Sequence, residues 1–433
     1  MYGMSIPRIV IVGGGFGGVY TARHLKPIVE KGIAEVTIIN RDNYFLFTPL
    51  LHEVATGALS SHSVVEPIRE ILRGSNVHFV QAEVKGIDAD KKLVKTSSGP
   101  IAYDYLVVSS GATTNYYGVP GAEKYSLTLK DLSDAINIRT ALIKACEKAA
   151  MTTDIEERRR LLSVLIVGGG ATGVELAAEL IEFMRDTLCS YYHHACFDSG
   201  DMTVTLVASS PDLLPVFPQE MRAIALEELK KRGVDVRLGV NVIEVANHEV
   251  RTGKPAVIAP AAPGSPVPHI TQTAVIESVI LAQTIIWVAG VAATQWDIPG
   301  AERERGNRIK IDELLRVVGR PEIFALGDAS GTYPMLAQVA SQQAKIVARN
   351  ITAVIESKPE HMKPFSFKQK GLLASLGKWY AVGSIHGVTL KGPFMWWLWR
   401  TIYLFNFHSW RKRFRIAAEW TVDLFYPRDI SSM

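Results

Sequence analysis

Two glycine-rich turns of one design constrain this chain more than any other feature. The first reads Ile9-Val10-Ile11-Val12-Gly13-Gly14-Gly15-Phe16-Gly17-Gly18, and the second Val164-Leu165-Ile166-Val167-Gly168-Gly169-Gly170-Ala171-Thr172-Gly173. In each, an apolar β-branched run enters a G-x-G-x-x-G turn and leaves into a stretch with helical apolar spacing. The first glycine makes the tight turn, the second lets a phosphate approach the backbone, and the third lets the helix pack on the strand. Such a turn offers a helix N-terminus to the pyrophosphate of one dinucleotide. Two turns imply two dinucleotides, and a chain that holds two can pass electrons from one to the other. The bland alternative is a pair of unliganded strand-to-helix turns; the strand before and the helix after both copies favour the ligand.

A length of 433 residues leaves room for two or three domains. Residues 8–13 read as a strand, 17–30 as a helix with Val19, Ala22, Leu25 and Val29 on its apolar face, and 35–40 as the next strand. Further strands are expected at 77–80 and 105–108, and a helix from Asp131 to about Ala150. A second unit opens at Leu161; its helix starts near Thr172 and its next strand is 203–207, with Arg185 to Asp201 read as a polar, aromatic insertion. Lys254 to Pro268, rich in Pro, Ala and Gly, reads as an exposed hairpin tip or loop. Buried strands are expected at 284–290 and 323–328, then a helix over 337–355. The class is α/β, with two Rossmann-like dinucleotide-binding domains followed by a segment of different character.

Composition narrows the partners. At 48% hydrophobic and 21% charged, with a formal net charge of +4, the chain is that of a folded protein and nothing singles out nucleic acid. The three cysteines, Cys146, Cys189 and Cys196, form no C-x-x-C and no zinc spacing, so no metal site is expected and a reducing compartment fits. The chain runs from Met1 into a strand by Arg8, so no signal or transit peptide is expected. No uncharged apolar run reaches the roughly 18 residues of a spanning helix.

The acid that would hold a ribose hydroxyl belongs about 20 residues beyond each turn. Those places fall at Asn40 and at Ala208, the latter followed by Ser209 and Ser210. An amide can bond a ribose hydroxyl without charge, and no acid at Ala208 repels a 2′-phosphate, so a preference for NADH over NADPH does not follow. Gly327-Asp328, at a strand end, could hold a sugar or ribityl hydroxyl, or simply cap a turn. Gln338 and Gln342, four apart, share a helix face and could bond a carbonyl ligand or line a solvated surface. No thiol pair stands near Phe47-Thr48-Pro49-Leu50-Leu51-His52-Glu53, so electrons must leave a flavin without a disulfide. From Phe365 the chain turns aromatic and basic: Phe394, Trp396, Trp397, Trp399 and Arg400, then Tyr403, Phe405, Phe407 and Trp410, then Arg411-Lys412-Arg413-Phe414-Arg415, with Trp420, Phe425 and Tyr426 beyond. Aromatics beside cations suit a lipid headgroup layer. The alternatives are a homodimer interface or a tail docked on the body.

With these residues in hand, the chain resembles the type II NADH:quinone oxidoreductases, single-subunit flavoproteins with two dinucleotide-binding domains of the glutathione-reductase-like kind. The resemblance spans essentially the whole length. It rests on both glycine turns, Phe47 to Leu51, Val167 to Glu179, Trp287-Val288-Ala289-Gly290, Leu326-Gly327-Asp328, the A-Q-x-A-x-Q at 337–342 and Lys370 to Gly377. It implies a discontinuous FAD-binding domain over 1–120 and 291–364, an NAD(P)H-binding domain over 121–290, and a C-terminal amphipathic, membrane-associating segment with the quinone site over 365–433. By position, Gly13, Gly15, Gly17, Gly18, Asn40, Arg41, Thr48, Gly327 and Asp328 would hold FAD, without a covalent link. Gly168, Gly170, Thr172, Gly173 and Gly290 would line the site for NADH, with NADPH left open. Glu175, Gln338, Gln342 and Lys370 would serve catalysis, and Gln338, Gln342, Lys370 and Leu373 would surround the quinone. The implied activity passes a hydride from NADH to flavin and two electrons to a membrane quinone of a respiratory chain, without proton pumping. The implied setting is peripheral, on the cytoplasmic face of a cell membrane. Ala208, where many relatives carry Glu, and Ser109-Ser110-Gly111-Ala112, where relatives often read Ala-Thr-Gly, depart from the pattern.

Two other readings stay open. A soluble flavin NAD(P)H reductase for a protein or another acceptor shares the glycine turns but needs no aromatic tail. A flavoprotein whose redox state controls partner binding would turn over slowly. A sulfide:quinone oxidoreductase needs cysteines across the flavin, and none lies beyond Cys196.

Overall fold

The computed structural model describes residues 6–192, 200–254, 257–259, 269–272, 274–385 and 387–431. Cys196 and the middle of the Pro/Ala/Gly-rich stretch lie outside them. The chain divides into two compact units. One contains Met1–Leu46, Val65–Thr113 and Val291–Lys370, and the other Phe47–Val64, Thr114–Gly290 and Gly371–Met433.

The first unit is built on a six-stranded sheet in the order Arg316–Val317, Arg320–Ala325, Tyr105–Val108, Arg8–Val12, Glu35–Asn40 and His78–Gln81. All pairings are parallel except that of the edge strand Arg316–Val317. Ile9 and Ile11 face one side of this sheet and Val10 and Val12 the other, and none is more than 2% exposed. Burial on both faces is why that strand reads as an unbroken apolar run rather than an alternation. Helices Phe16–Glu30 and Ala337–Ile355 pack on each other over one face. An antiparallel meander, Val84–Asp88, Leu93–Thr96 and Gly99–Ala102, covers the other through Ile87, Val94 and Tyr103.

The second unit repeats the plan. Its sheet runs Leu127–Thr128, Thr284–Trp287, Ser163–Val167, Thr203–Ala208 and Asp235–Leu238, all parallel. In both sheets the strand before the glycine turn is central, so the turn stands at the carboxyl edge where the strand order reverses, the usual ligand position in such sheets. The helix Leu132–Met151 starts at a capping box of Asp131 and Asp134, which fixes its first turn. A meander of Val242–Ala246, Glu249–Lys254 and Val275–Leu281 is interrupted by the hairpin Val257–Ala259 with His269–Gln272. The expected hairpin is therefore present, and its tip falls outside the described residues.

Three expectations need correction. The stretch from Arg185 is no insertion at its start: the helix Ala171–Glu182 continues in π geometry through Phe183–Leu188 and on to Tyr191, because Phe183, Met184, Thr187 and Leu188 are buried. The strand expected to reach Gly290 stops at Trp287; the backbone then turns, and the Gly290 carbonyl accepts the Asn115 N–H at 3.0 Å. The C-terminal segment is no separate body. Its sheet, Leu372–Ser375, Ala381–Ile385 and Val388–Gly392, packs on helices Ala171–Glu182 and Gln219–Lys231. Helices Pro393–Asn406 and Trp410–Phe425 follow. Residues 47–64 join the same unit because the short helix Leu51–Ala55 packs against Leu132–Met151 and Ala171–Glu182.

Candidate functional site

The two glycine turns obey the same steric logic. Gly13 and Gly168 have φ of 105° and 127°, the left-handed side that only glycine enters freely. A Cβ on Gly18 would overlap the Gly13 carbonyl, and one on Gly173 the Gly168 carbonyl, so both third glycines are demanded by packing. The middle glycines differ. Gly15 (φ −84°) and Gly170 (φ −75°) have ordinary backbone angles, and a Cβ on either would meet no protein atom within 4 Å. Among the described residues nothing requires glycine at either position. The helices that follow have no acidic residue in the first turn and no side-chain cap, so their leading N–H groups face an anion unopposed.

Asn40 helps shape the first turn. Its Oδ1 accepts the Gly14 N–H at 2.8 Å and its Nδ2 donates to the Asp42 carbonyl at 2.8 Å, leaving one N–H for a hydroxyl. A Cβ on Gly17 would overlap the Ser109 hydroxyl. The Arg41 guanidinium is exposed and pairs with Asp42 at 3.1 Å. Gly327 opens a single 3-10 turn at the strand end, and its N–H donates to Gln343 Oε1 at 2.7 Å. Gln343 Nε2 and Ser110 Oγ are buried without a partner among the described residues, as groups awaiting a polar ligand would be. Thr48, grouped with these positions on the sequence, falls in the second unit.

Gln338, Gln342 and Lys370 do come together, though not as free amides facing a ligand. Gln342 donates Nε2 to the Lys368 carbonyl at 2.9 Å and accepts the Lys368 N–H at 3.2 Å. Gln338 Oε1 accepts the Lys370 N–H at 3.2 Å. The pair clamps the extended segment 368–370 as a strand neighbour would, and the Lys370 side chain is left exposed. Leu373 lies in the second unit, half-buried on its strand.

In the second unit a Cβ on Gly290 would meet the hydroxyl of the exposed Tyr117, which would have to move aside. Thr172 is exposed in the first helical turn. Glu175, one turn further, is 7% exposed. Its Oε1 accepts the Ser375 N–H at 3.1 Å and its Oε2 stands 4.0 Å from His52 Nδ1. Burial pushes its carboxyl up to about 8; the Ser375 N–H pulls the other way, and Glu53 and Glu179 add to the rise. Burial holds His52 neutral, down to about 4. Burial therefore favours the protonated form of the Glu175 carboxyl, unlike that of a glutamate at the surface.

Sequence reasoning passed over the neighbours of Glu175. Arg428 donates at 2.8 Å to both Glu179 and Asp423, all three at 3% side-chain exposure. Trp420 Nε1 donates to Glu53 at 2.6 Å. Glu182 pairs with Arg232 and accepts the Lys378 N–H at 2.9 Å. The signal was present: Glu175, Glu179 and Glu182 recur at helical spacing in a stretch otherwise made of Val, Leu, Ile and Ala.

The tail divides its aromatics. Trp396, Trp399, Phe407 and Trp420 are at most 5% exposed, whereas Phe394, Trp397, Phe405, Trp410, Phe414, Phe425 and Tyr426 are about half exposed or more. The basic run is less free than its sequence suggests. Arg400 is buried over the Trp396 ring at 3.8 Å, Arg413 donates to the Phe407 carbonyl at 2.7 Å, and Arg415 pairs with Glu419 at 3.0 Å. Among the described residues no helix is long and apolar enough to cross a membrane, and no His/Cys/Asp/Glu cluster could hold a metal.

The family matches cut the chain differently from the two compact units. Residues 7–344 match the pyridine nucleotide-disulphide oxidoreductase family and residues 369–429 the NDH2 C-terminal domain. A type II NADH:quinone oxidoreductase of Mycobacterium tuberculosis is 30% identical over 97% of this chain and 89% of its own length. An internal alternative NAD(P)H-ubiquinone oxidoreductase of Arabidopsis thaliana mitochondria is 30% identical over 98% of this chain and 85% of its own. The solved structure of NDH2 from Plasmodium falciparum in complex with NADH shares the fold, with a TM-score of 0.85 at 24% identity, covering 98% of this chain and 100% of that one.

Proposed function

The chain belongs to the type II NADH:quinone oxidoreductases, and from that premise we propose that its first unit holds FAD, its second admits NADH, and two electrons leave for a membrane quinone. The observation that carries this reading is the pair Gly15 and Gly170, glycines that neither backbone geometry nor packing requires. FAD, when bound, supplies a ring that accepts a hydride and passes electrons on.

The residues around it bind and orient. Gly13, Gly15, Gly17 and Gly18 present the turn to the pyrophosphate, Asn40 offers its remaining N–H, and Gly327 and Asp328 close the far end under Gln343. Gly168, Gly170, Thr172, Gly173 and Gly290 do the same for the nicotinamide cofactor. With Ala208 in the ribose position, no acid there repels the 2′-phosphate of NADPH. Glu175 holds a proton at its carboxyl. Gln338 and Gln342 act by fixing 368–370 so that the Lys370 ammonium is presented where negative charge develops on the quinone.

Anaerobic stopped-flow separates the half-reactions. NADH is expected to bleach the flavin, and a short-chain quinone to restore it. Gln342→Ala should slow the second step roughly tenfold, about 1.4 kcal/mol of lost positioning, and spare the first. A flavin that NADH reduces but no quinone reoxidises would end the quinone reading in favour of another acceptor. Equal loss in both steps would end the clamp role.

The exposed aromatics are proposed to rest on the lipid surface, a peripheral position on the cytoplasmic face of the membrane. Because Trp396, Trp399, Trp420 and Arg428 belong to the core, deleting the tail would open the unit rather than merely release it. Serine at Phe394, Trp397, Phe405, Trp410 and Phe414 is the cleaner change. It should abolish co-sedimentation with anionic vesicles while NADH still bleaches the flavin. Undiminished sedimentation would refute the lipid reading, and a wild-type dimer split by the same changes would assign these aromatics to a homodimer.

A further inference from the structure

A groove lies at the opposite end of the second unit's sheet from its glycine turn. It has two lobes, of about 470 Å³ and 390 Å³, which meet at Lys148, His248 and Gln283. Leu127, Gln283 and Thr284 line it, so it opens at the amino ends of strands Leu127–Thr128 and Thr284–Trp287. The Gln283 N–H donates to Ser163 Oγ at 3.1 Å, which ties the groove to the amino end of Ser163–Val167 as well. The length of that strand, about 15 Å, separates the groove from Gly168. A ligand in the groove therefore leaves the dinucleotide position at the carboxyl edge untouched.

The groove collects cations. The helix Leu132–Met151 lends it Ala141, Lys144, Ala145 and Lys148, a single helical face on which small residues leave room between two lysines. Those lysines stand one turn apart, about 6 Å along the axis, and repel each other. Lys124 and Arg160 add charge from other elements. Among the described residues, Lys124, Lys144 and Lys148 form no ion pair with a carboxylate. Glu157 is the one acid on the described wall, and it is engaged with Arg160 at 3.4 Å. Glu147, beside Lys148 in the chain, accepts the Tyr192 hydroxyl at 2.7 Å.

The polar groups are held in place. His248 Nδ1 donates to the Gln283 carbonyl at 3.0 Å, and the His248 carbonyl accepts the Ala282 N–H at 3.0 Å. His248 has a left-handed backbone, φ 60°, in the two-residue turn between Ala246 and Glu249, where glycine is the easier residue. The ring is thus kept there against a backbone cost. Gln283 Oε1 accepts from Arg160 Nη1 at 3.3 Å, which leaves the amide N–H groups for an acceptor. Tyr125, 38% exposed, carries the Lys124 ammonium 4.8 Å from its ring centre.

We propose that this groove binds a small molecule bearing two linked phosphates, at a site separate from the second glycine turn. The cations stand along its length rather than about one point: Arg160 in one lobe, Lys124 and Lys144 in the other, and Lys148 in both. A single phosphate reaches only some of them, whereas a pyrophosphate spans the junction. Each lobe has the volume of a small-molecule site. Free pyrophosphate and a nucleoside diphosphate share this chemistry; Tyr125, beside Leu127 and Ile285, offers a ring face to the nucleoside.

Calorimetric titration of the FAD-loaded full chain reads the site, with sodium pyrophosphate, ADP and inorganic phosphate as probes. Pyrophosphate and ADP are expected to saturate it, and inorganic phosphate to bind about tenfold more weakly. Lys144→Ala combined with Lys148→Ala should weaken pyrophosphate about tenfold or more, and leave flavin bleaching by NADH at the wild-type rate. Both lysines are exposed and alanine favours a helix, so the double variant keeps the fold. Gly170→Ala, altered only at the glycine turn, should bind pyrophosphate and ADP as tightly at the groove as the wild type does. In that variant, ADP bound more tightly than pyrophosphate, with Tyr125→Ala removing the difference, identifies a nucleotide; equal affinity identifies free pyrophosphate. The site is overturned by an absence of saturable binding, by inorganic phosphate bound as tightly as pyrophosphate, or by binding that Gly170→Ala abolishes and the lysine variant keeps.

Discussion

Alanine at Gly15 is expected to strip FAD from a protein that still folds, and alanine at Gly170 to leave FAD bound while abolishing reduction by NADH. The backbone at both positions is open to any residue, and the added methyl group meets no protein atom. What it would meet is the phosphate that each turn is shaped to admit. A methyl in that space holds the anion away from the helix N–H groups, and a loss on the order of 100-fold, roughly 3 kcal/mol, follows. Visible flavin absorbance after gel filtration reads the first variant, anaerobic bleaching by NADH the second, and circular dichroism confirms that both fold. Alanine at Gly18 or Gly173 provides the contrast, since there the methyl collides with a backbone carbonyl and stability itself should fall. A Gly15→Ala protein that purifies fully loaded with FAD would refute the assignment of the first turn.

The second large effect is expected at Arg428. Its guanidinium reaches Glu179 and Asp423 at 2.8 Å each, with all three side chains buried. Removing one partner from a buried ion pair leaves uncompensated charge, and Arg428→Met should cost about 3–5 kcal/mol of stability. The loss has a pH signature. In the wild type, Glu179 is held below its unfolded value, so its contribution is present above that value and lost as pH falls through the lower, folded one. In the variant, Glu179 joins Glu53, Glu175 and Glu182, whose folded values are raised. Groups of that kind stabilise fully below their unfolded value, and the contribution disappears as pH rises through the folded one, here toward about 8. Thermal unfolding should therefore show the widest gap between variant and wild type near pH 8 and a narrower one near pH 5. Equal melting at pH 8 would show that the ion pair carries no such weight.

Much of the frame was legible because apolar pattern and backbone chemistry act locally. The runs before each glycine turn, the 17–30 periodicity and the Asp131 start each depend on neighbours within a few residues, and the structure keeps them. The two glutamine amides were less legible. Gln338 and Gln342 share a face as their spacing says, but the groups that consume them lie 26 to 32 residues away at 368–370. The tail misled more. A count of cations beside aromatics treats Arg400 and Arg413 as lipid-facing, whereas Arg400 is buried and Arg413 spends its donors on backbone carbonyls. Least legible was the acid cluster, because partners 249 and 367 residues apart have no local signature. Carboxyls on an apolar helix were the one clue.

That separation of Glu179 from Arg428 also bears on how the chain is made. Synthesis proceeds from the amino end at about 5–20 residues per second, so Glu179 leaves the ribosome roughly 10–50 s before its counter-ion exists. The parallel sheet behind it can form in that interval. Closing the face over Glu179 before Arg428 arrives would bury an unpaired carboxylate, which is unfavourable. The second unit therefore completes its interior last, with its late residues acting as the keystone of a vault that stands open during translation.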